Sequence, residues 1–204
     1  MKVSKLQASD NRDAIVQAAA EQIRGLGFAQ MSVAEIAKAA GLTHGALYSH
    51  FGSKHALQTL AMQRASADCL SEFSGLTAQE LLERYLSEQH RDNPEHGCPT
   101  AALVSEVRLQ SDQSRKAFRD GFEQFAALIG DSLRLHDKGK ELELDKAVLM
   151  FAAMVGGLAI SRAIRDVDRT ASTAVLQTVL TQLQRLVVEP ASAPKPRKTA
   201  RSAR

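Results

Sequence analysis

The chain has 204 residues, 44% of them apolar and 24% charged, with a formal net charge of +3. This is the composition of a globular protein long enough to bury a core without covalent staples, and it excludes collagenous, membrane-spanning and wholly disordered classes. Two cysteines, Cys69 and Cys98, give no disulfide framework, and the start MKVSKLQASD lacks an apolar signal core, so a reducing, cytoplasmic setting is expected.

Residues 1 to 64 hold seven Lys/Arg against four Asp/Glu, and residues 190 to 204 hold five Lys/Arg and no acid, so the stretch between them is acidic. Basic ends around an acidic middle point to an anionic partner at the ends, nucleic acid before membrane surface. With no Trp, seven Phe and two Tyr, the composition favours helices over strands. In chain order, Ser9 or Asp10 caps a first helix with Ile15, Ala18, Ala19, Ile23 and Leu26 on one face, stopped by Gly25 and Gly27. Ser32 and Glu35 have capping-box spacing and open a short helix, with Ile36, Ala37 and Ala40 inward, that ends at Gly41. Thr43 caps a second short helix through His50, and Gly52 and Ser53 precede a long helix from Lys54 to about Phe73. Further helices are expected at 77–91, 99–109, 112–136, 145–166 and 171–188. The nearly uncharged run Ala147 to Ile164 carries two glycines and is closed by Arg162 and Arg165, so it reads as a buried helix, not a membrane span. The segment 190–204, rich in Pro and Lys/Arg, reads as a disordered basic tail.

The two short helices joined by Gly41 and Leu42 have the pattern of a helix-turn-helix, whose second helix lies in the major groove while the first braces it. Such a helix must be apolar on one side and small or polar on the other. Leu47 and Phe51 supply the inner side against Ile36 and Leu42; His44, Gly45, Tyr48 and Ser49 supply the outer one.

The run GFAQMSVAEIAKAAGLTHGALYSHFGSKHAL, residues 27 to 57, resembles the DNA-binding domain of the TetR family of bacterial transcriptional regulators. The resemblance implies an all-α protein. A helix-turn-helix domain at 1–54 would continue into a linking helix at 54–73, followed by a ligand-binding and dimerisation domain at 55–189 and the tail. It also implies DNA contacts from Ser32, Thr43, His44, Gly45, Tyr48, Ser49, His50 and Lys54. Thr43 offers a hydroxyl to phosphate or a base edge, and Lys54 stands at a helix N-terminus that already favours phosphate. The alternative is that Ser32 and Thr43 are caps, Tyr48 is a packing residue and His44 an exposed bystander.

The family's plan makes a homodimer through the last two helices, here 145–166 and 171–188. Val148, Leu149, Ala152, Val155, Ala159 and Ala163 recur at helical spacing on the first, and Gly156 and Gly157 admit a close neighbour. Val175, Leu176, Val179, Leu180, Leu183 and Leu186 form a stripe on the second. Both stripes could instead serve the monomer's own core. A pocket for an unknown small-molecule inducer would draw on Met62, Tyr85, Leu103, Val107, Phe118, Phe122, Phe125, Met150 and Met154, although a Phe stripe at 118, 122 and 125 equally suits a core. The function expected is a ligand-responsive repressor bound to palindromic operator DNA as a dimer.

Two other readings stay open. Cys98 precedes Pro99 at the start of a helix, close to His96, where a thiolate is favoured, so a thiol sensor of oxidants or electrophiles on the same scaffold is the alternative. A non-specific architectural DNA binder using the basic tail is the other. No phosphate-cradling loop, nucleophile elbow or set-apart carboxylate pair argues for an enzyme, no cofactor is implied, and His90, His96 and Cys98 lack a recurring metal-ligand spacing.

Overall fold

The computed structural model describes residues 5–134 and 140–188, with side chains described except at 5–10, 44, 46, 134, 140–143 and 188. The basic tail therefore lies outside the described residues, as do residues 135 and 136 of the expected helix 112–136. The described chain folds into α1 (Lys5–Gln30), α2 (Val33–Ala39), α3 (His44–Phe51), α4 (Lys54–Phe73), α5 (Ala78–Tyr85), α6 (Glu88–Asp92), α7 (Pro99–Leu103), α8 (Asp112–Arg134), α9 (Lys140–Ile164) and α10 (Arg169–Val188). Short 3-10 turns span Pro94–His96 and Val107–Leu109, and no strand occurs among the described residues.

The first helix departs from its expected ends. It starts at Lys5, ahead of Ser9 and Asp10, in a stretch where no Gly or Pro interrupts it. Gly25 stays helical, and the break falls at Gly27 alone, with φ 84° and ψ 170°. The turn of direction leaves Leu26 49% exposed and carries Phe28 inward to 1% in its place. At α2 only half of the expected capping box forms. Ser32 Oγ accepts from Glu35 N–H at 3.3 Å, but the Ser32 N–H is taken by Gln22 Oε1 of α1 at 3.0 Å. The complete box opens α5, between Thr77 and Glu80.

Two expected helices are interrupted. The run 77–91 splits because Ser87 adopts extended backbone and caps a new helix, its Oγ accepting from His90 N–H at 3.1 Å. His90 Nδ1 meets the Tyr85 carbonyl at 2.7 Å and so satisfies the end of α5. The run 99–109 stops at Leu103, after which Glu106 reaches back to α1, where its Oε2 accepts from Phe28 N–H at 3.0 Å. Arg91, fully buried, ties α6 to α10 by donating to Ser172 and Thr173 at 3.1 and 3.0 Å, while Glu88 and Asp92 balance its charge.

Burial falls into two clusters. One gathers Ile15, Ile23, Phe28, Ile36, Leu47, Leu57 and Met62 with Leu103 and Val107; the other gathers Phe73, Leu82, Tyr85, Phe125, Phe151, Met154 and Leu176. Helix α4 serves both, with Leu57 to Ala65 in the first and Cys69 and Phe73 in the second.

Helix α9 is buried on one face only. Ala147, Met150, Phe151, Met154 and Leu158 face α8 and α10, whereas Leu149 and Ile160 are 59% and 55% exposed. The buried-helix expectation for 147–164 thus holds for half its circumference, because the chain offers a single layer of helices against it. The glycine pair divides in the same way. A Cβ on Gly157 would meet Val179 of α10 at 3.0 Å, and one on Gly156 would meet nothing within 4 Å.

Candidate nucleic-acid interface and buried thiol cluster

The α2–turn–α3 unit is built by a closed hydrogen-bond pattern. Leu42 N–H bonds the Ala37 carbonyl at 2.8 Å and Gly41 N–H bonds the Lys38 carbonyl at 3.1 Å, with Gly41 at φ 67°. This double bond pattern with a left-handed residue ends a helix sharply, and glycine adopts it without a Cβ penalty. Open space around Gly41 shows that backbone conformation, not crowding, selects it.

Helix α3 then stands with Leu47 and Phe51 at 0% and 7% exposure against α2 and α4. Gly45, Tyr48, Ser49 and His50 lie on its solvent side, and Thr43 precedes it, also exposed. The side chain of His44 lies outside the described residues. Ser53 caps α4 by accepting from Ala56 N–H at 3.0 Å, which sets Lys54, half-buried, in its first turn. Arg12 of α1 covers the Phe51 ring at 5.3 Å, so a cation from α1 flanks the end of α3. Ser32 is half-buried at the α2 cap.

The nine pocket candidates separate. Tyr85, Phe125, Met150 and Met154 are buried together, with Phe122 against them. Met62, Leu103 and Val107 join the other cluster, with Phe118 at its edge. The aromatic members of the first group are in ring contact: Phe125 and Phe122 stack on Phe151 at 4.7 and 5.3 Å, and Phe73 meets Phe125 edge-on at 5.5 Å.

Beside these rings lies a polar cluster. Cys98 caps α7, Pro99 takes the first helical position as expected, and Cys98 is 1% exposed. Its N–H donates to His90 Nε2 at 2.9 Å, so His90, not the exposed His96, is its histidine neighbour. Cys69 of α4 shares this buried core and influences the ionisation of Cys98, as does Tyr85, whose hydroxyl is buried without a hydrogen-bond partner. Burial alone would raise the Cys98 pKa, but the influence of Cys69, Tyr85 and the backbone at Ala101 and Thr100 brings it below the usual thiol value. The influence of Cys98, together with burial, holds the Cys69 thiol well above that value. Burial lowers the His90 pKa to about 4, so the ring is neutral. Both its nitrogens are engaged, and no group of three or more His, Cys, Asp or Glu with metal-site geometry occurs among the described residues. Arg162 bonds the carbonyls of Arg91 and His90 and leaves Nη1 buried without a partner beside Tyr85 and Cys98. A surface groove of about 290 Å³, lined by Glu72, Arg84, Gln89, His90 and His96, reaches this cluster at His90.

Cys69, His90 and Arg162 were not distinguished from the sequence as members of one neighbourhood, since they come from three separate elements, α4, α6 and α9. The only local signal was Gly97, where an added Cβ would stand 2.8 Å from both Arg162 and His90.

Comparison with known proteins gives the following. The profile described as "Bacterial regulatory proteins, tetR family" matches residues 15–58, and that for "Transcriptional regulator LmrA/YxaF-like, C-terminal domain" matches residues 77–182. The HTH-type transcriptional regulator LmrA of Bacillus subtilis is 24% identical over 162 residues, covering 74% of this chain and 86% of that protein. The HTH-type transcriptional regulator TtgR of Pseudomonas putida is 28% identical over 173 residues, covering 76% and 81%. The crystal structure of reduced NemR from E. coli shares the fold with a TM-score of 0.72 at 20% identity, covering 90% of this chain and all of that one.

Proposed function

The chain belongs to the TetR family of bacterial transcriptional regulators, and from that premise we propose that it is a cytoplasmic, dimeric repressor released from a palindromic operator by a small molecule. The observation that carries the reading is α3 itself: Leu47 and Phe51 anchor it while Gly45, Tyr48, Ser49 and His50 present a small and polar face to solvent. In this reading His44 and Gly45 meet the groove floor, and Thr43, Tyr48, Ser49 and His50 meet its edges and backbone. Ser32 and Lys54 bind phosphate at the starts of α2 and α4. The exposed apolar face of α9, with α10, forms the seam between two copies, so that two copies of α3 read half-sites about 34 Å apart. The inducer is received among the aromatic residues around Tyr85, Phe122, Phe125, Met150 and Met154.

The test is a salt-dependent binding titration with operator DNA selected from the protein's own upstream region. Lys54→Ala weakens all sequences alike and lowers the salt slope by about one counterion. His44→Ala costs about 1 to 3 kcal/mol at particular base pairs and relaxes preference there. A Lys54→Ala protein with altered sequence preference and an unchanged salt slope contradicts the assignment.

A second reading is favoured by the Cys98 cluster: release triggered by modification of the Cys98 thiol, which its surroundings hold toward the thiolate. Operator affinity before and after a thiol-reactive electrophile, in wild type and Cys98→Ser, decides it. Equal loss in both proteins, or in neither, removes Cys98 as the trigger.

A further inference from the structure

We infer that Arg12 is a further DNA-backbone contact, a phosphate-binding cation supplied by α1 and held beside the end of α3 by stacking on the Phe51 ring. The inference rests on the reading of α3 as the DNA-reading helix and adds to it a residue from another element, together with the side chain that positions it.

Three observations converge. The first is the stack itself. The Arg12 guanidinium stands 5.3 Å from the centroid of the Phe51 ring. Phe51 is the last residue of α3 and is packed in the N-terminal core, so its ring is a fixed platform, whereas Arg12 is exposed on α1. An arginine lying on an aromatic face keeps its planar fork of donors available, and the stack orients that fork before an oxyanion arrives.

The second observation is how differently the arginines of this region are committed. Among the described residues, Arg24 and Arg64 both pair with Asp68, whereas the contact of Arg12 is with a ring that carries no charge. The charge of Arg12 is thus left for an outside anion. A surface cation kept for such a partner is what a DNA interface needs, because neutralised phosphates release counterions and supply affinity.

The third is place. Gly52, at φ 75°, turns the chain directly after Phe51, and Ser53 caps α4 with Lys54 at its first position. The His50 ring lies 6.4 Å from the Phe51 ring. Residues of three elements, Arg12 of α1, His50 of α3 and Lys54 of α4, therefore gather at one end of α3. Arg12 belongs to none of the helix-turn-helix and approaches from that end, so its contact is with the sugar–phosphate backbone, which fixes orientation without reading bases.

The test titrates the full-length protein with duplex DNA selected from its own upstream region, and with random duplex of the same length, over a series of salt concentrations. Arg12→Gln is expected to weaken both DNAs by the same factor and to lower the salt slope by about one counterion. Arg12→Lys keeps the charge without the stacking plane and leaves the core untouched; it is expected to keep the slope while binding both DNAs about two- to fivefold more weakly. The ring's part is read in Phe51→Leu, where Arg12→Gln should cost less than it does in wild type. An unchanged slope in Arg12→Gln, a loss confined to particular base pairs, or an equal cost in the two backgrounds overturns the inference. So does a lowered melting temperature with unchanged affinity and slope, which makes Arg12 a cover for Phe51 alone. A wild-type protein without salt-dependent DNA binding overturns the DNA reading of α3 and this inference with it. A wild type that prefers its operator, beside an Arg12→Gln protein of unchanged slope, overturns the inference only.

Discussion

Gly45 is a glycine that the fold itself does not need. Its φ is not in the left-handed region, it lies inside α3, and a Cβ there would meet nothing within 4 Å. A helix-interior glycine costs about 0.5–1 kcal/mol relative to alanine, so an external neighbour is the simplest reason for it. Gly45→Ala should therefore raise the denaturation midpoint by an amount matching about 0.5–1 kcal/mol and at the same time weaken operator binding, since the added methyl occupies the DNA's approach. A stabilised variant with full operator affinity would place that face of α3 away from DNA. His90 makes a second residue-level prediction. Burial holds its folded pKa at about 4, below the value of about 6.5 for an unfolded histidine, so on acidification the unfolded chain takes up the proton first. Its contribution to stability is complete above about pH 6.5 and is lost progressively toward pH 4, by on the order of 3 kcal/mol. Chemical denaturation at several pH values should show this slope in wild type and a shallower one in His90→Gln.

At the scale of elements, what was legible in the sequence was whatever is decided within one turn of helix. The α2–turn–α3 unit followed from Gly41, Leu47 and Phe51, because a left-handed cap and an i, i+4 apolar pair are local properties. The splitting of 77–91 was not legible, because Ser87 competes as a cap only when His90 turns to bond the Tyr85 carbonyl. Nor was the end of α7, which depends on Glu106 reaching a backbone N–H 78 positions away. The thiol site was half legible. Cys98 and Pro99 announce a helix start, while Cys69 looks like any core residue until α4 is laid against α7. Helix α9 shows the same limit in its apolar periodicity, which marks apolar faces without saying which of them the chain itself covers. Leu149 and Ile160 lie on the uncovered side, so replacing both with Asp costs the monomer little and should convert the proposed dimer to monomer by sedimentation or light scattering. Gly157→Ala, by contrast, presses on Val179 within the chain and should lower stability without that change of mass. A double Asp variant of unchanged mass would move the seam elsewhere.

Across the whole molecule, two routes connect the core around Tyr85 with the helices that carry α3. One is α4, continuous through both cores and held to α1 by Arg24, which donates to the Ala65 carbonyl and pairs with Asp68. The other is the segment 98–109, with Cys98 in the polar cluster at one end and Glu106 at the other. Glu106 Oε2 accepts from Phe28 N–H where Gly27 has broken α1, and Gln58 of α4 donates to the Phe28 carbonyl at 2.9 Å. Both backbone groups of Phe28 are thus held from outside α1, one by each route, and Phe28 itself fills the N-terminal core. The segment that follows α7 is thus joined to the base of the helix-turn-helix through one carboxylate. Glu106→Ala removes the acceptor and should cost about 1–3 kcal/mol, the penalty of an unsatisfied N–H at a partly buried site. It should also speed amide exchange at residues 26–30 and, on the proposed thiol-trigger reading, reduce any change in operator affinity that follows modification at Cys98. Glu106→Gln keeps an acceptor oxygen of the same reach and should restore most of the protection. The Gln variant separates this hydrogen bond from mere packing: if Gln and Ala lose protection and response equally, the contact is not what transmits the shift, and α4 alone must carry it.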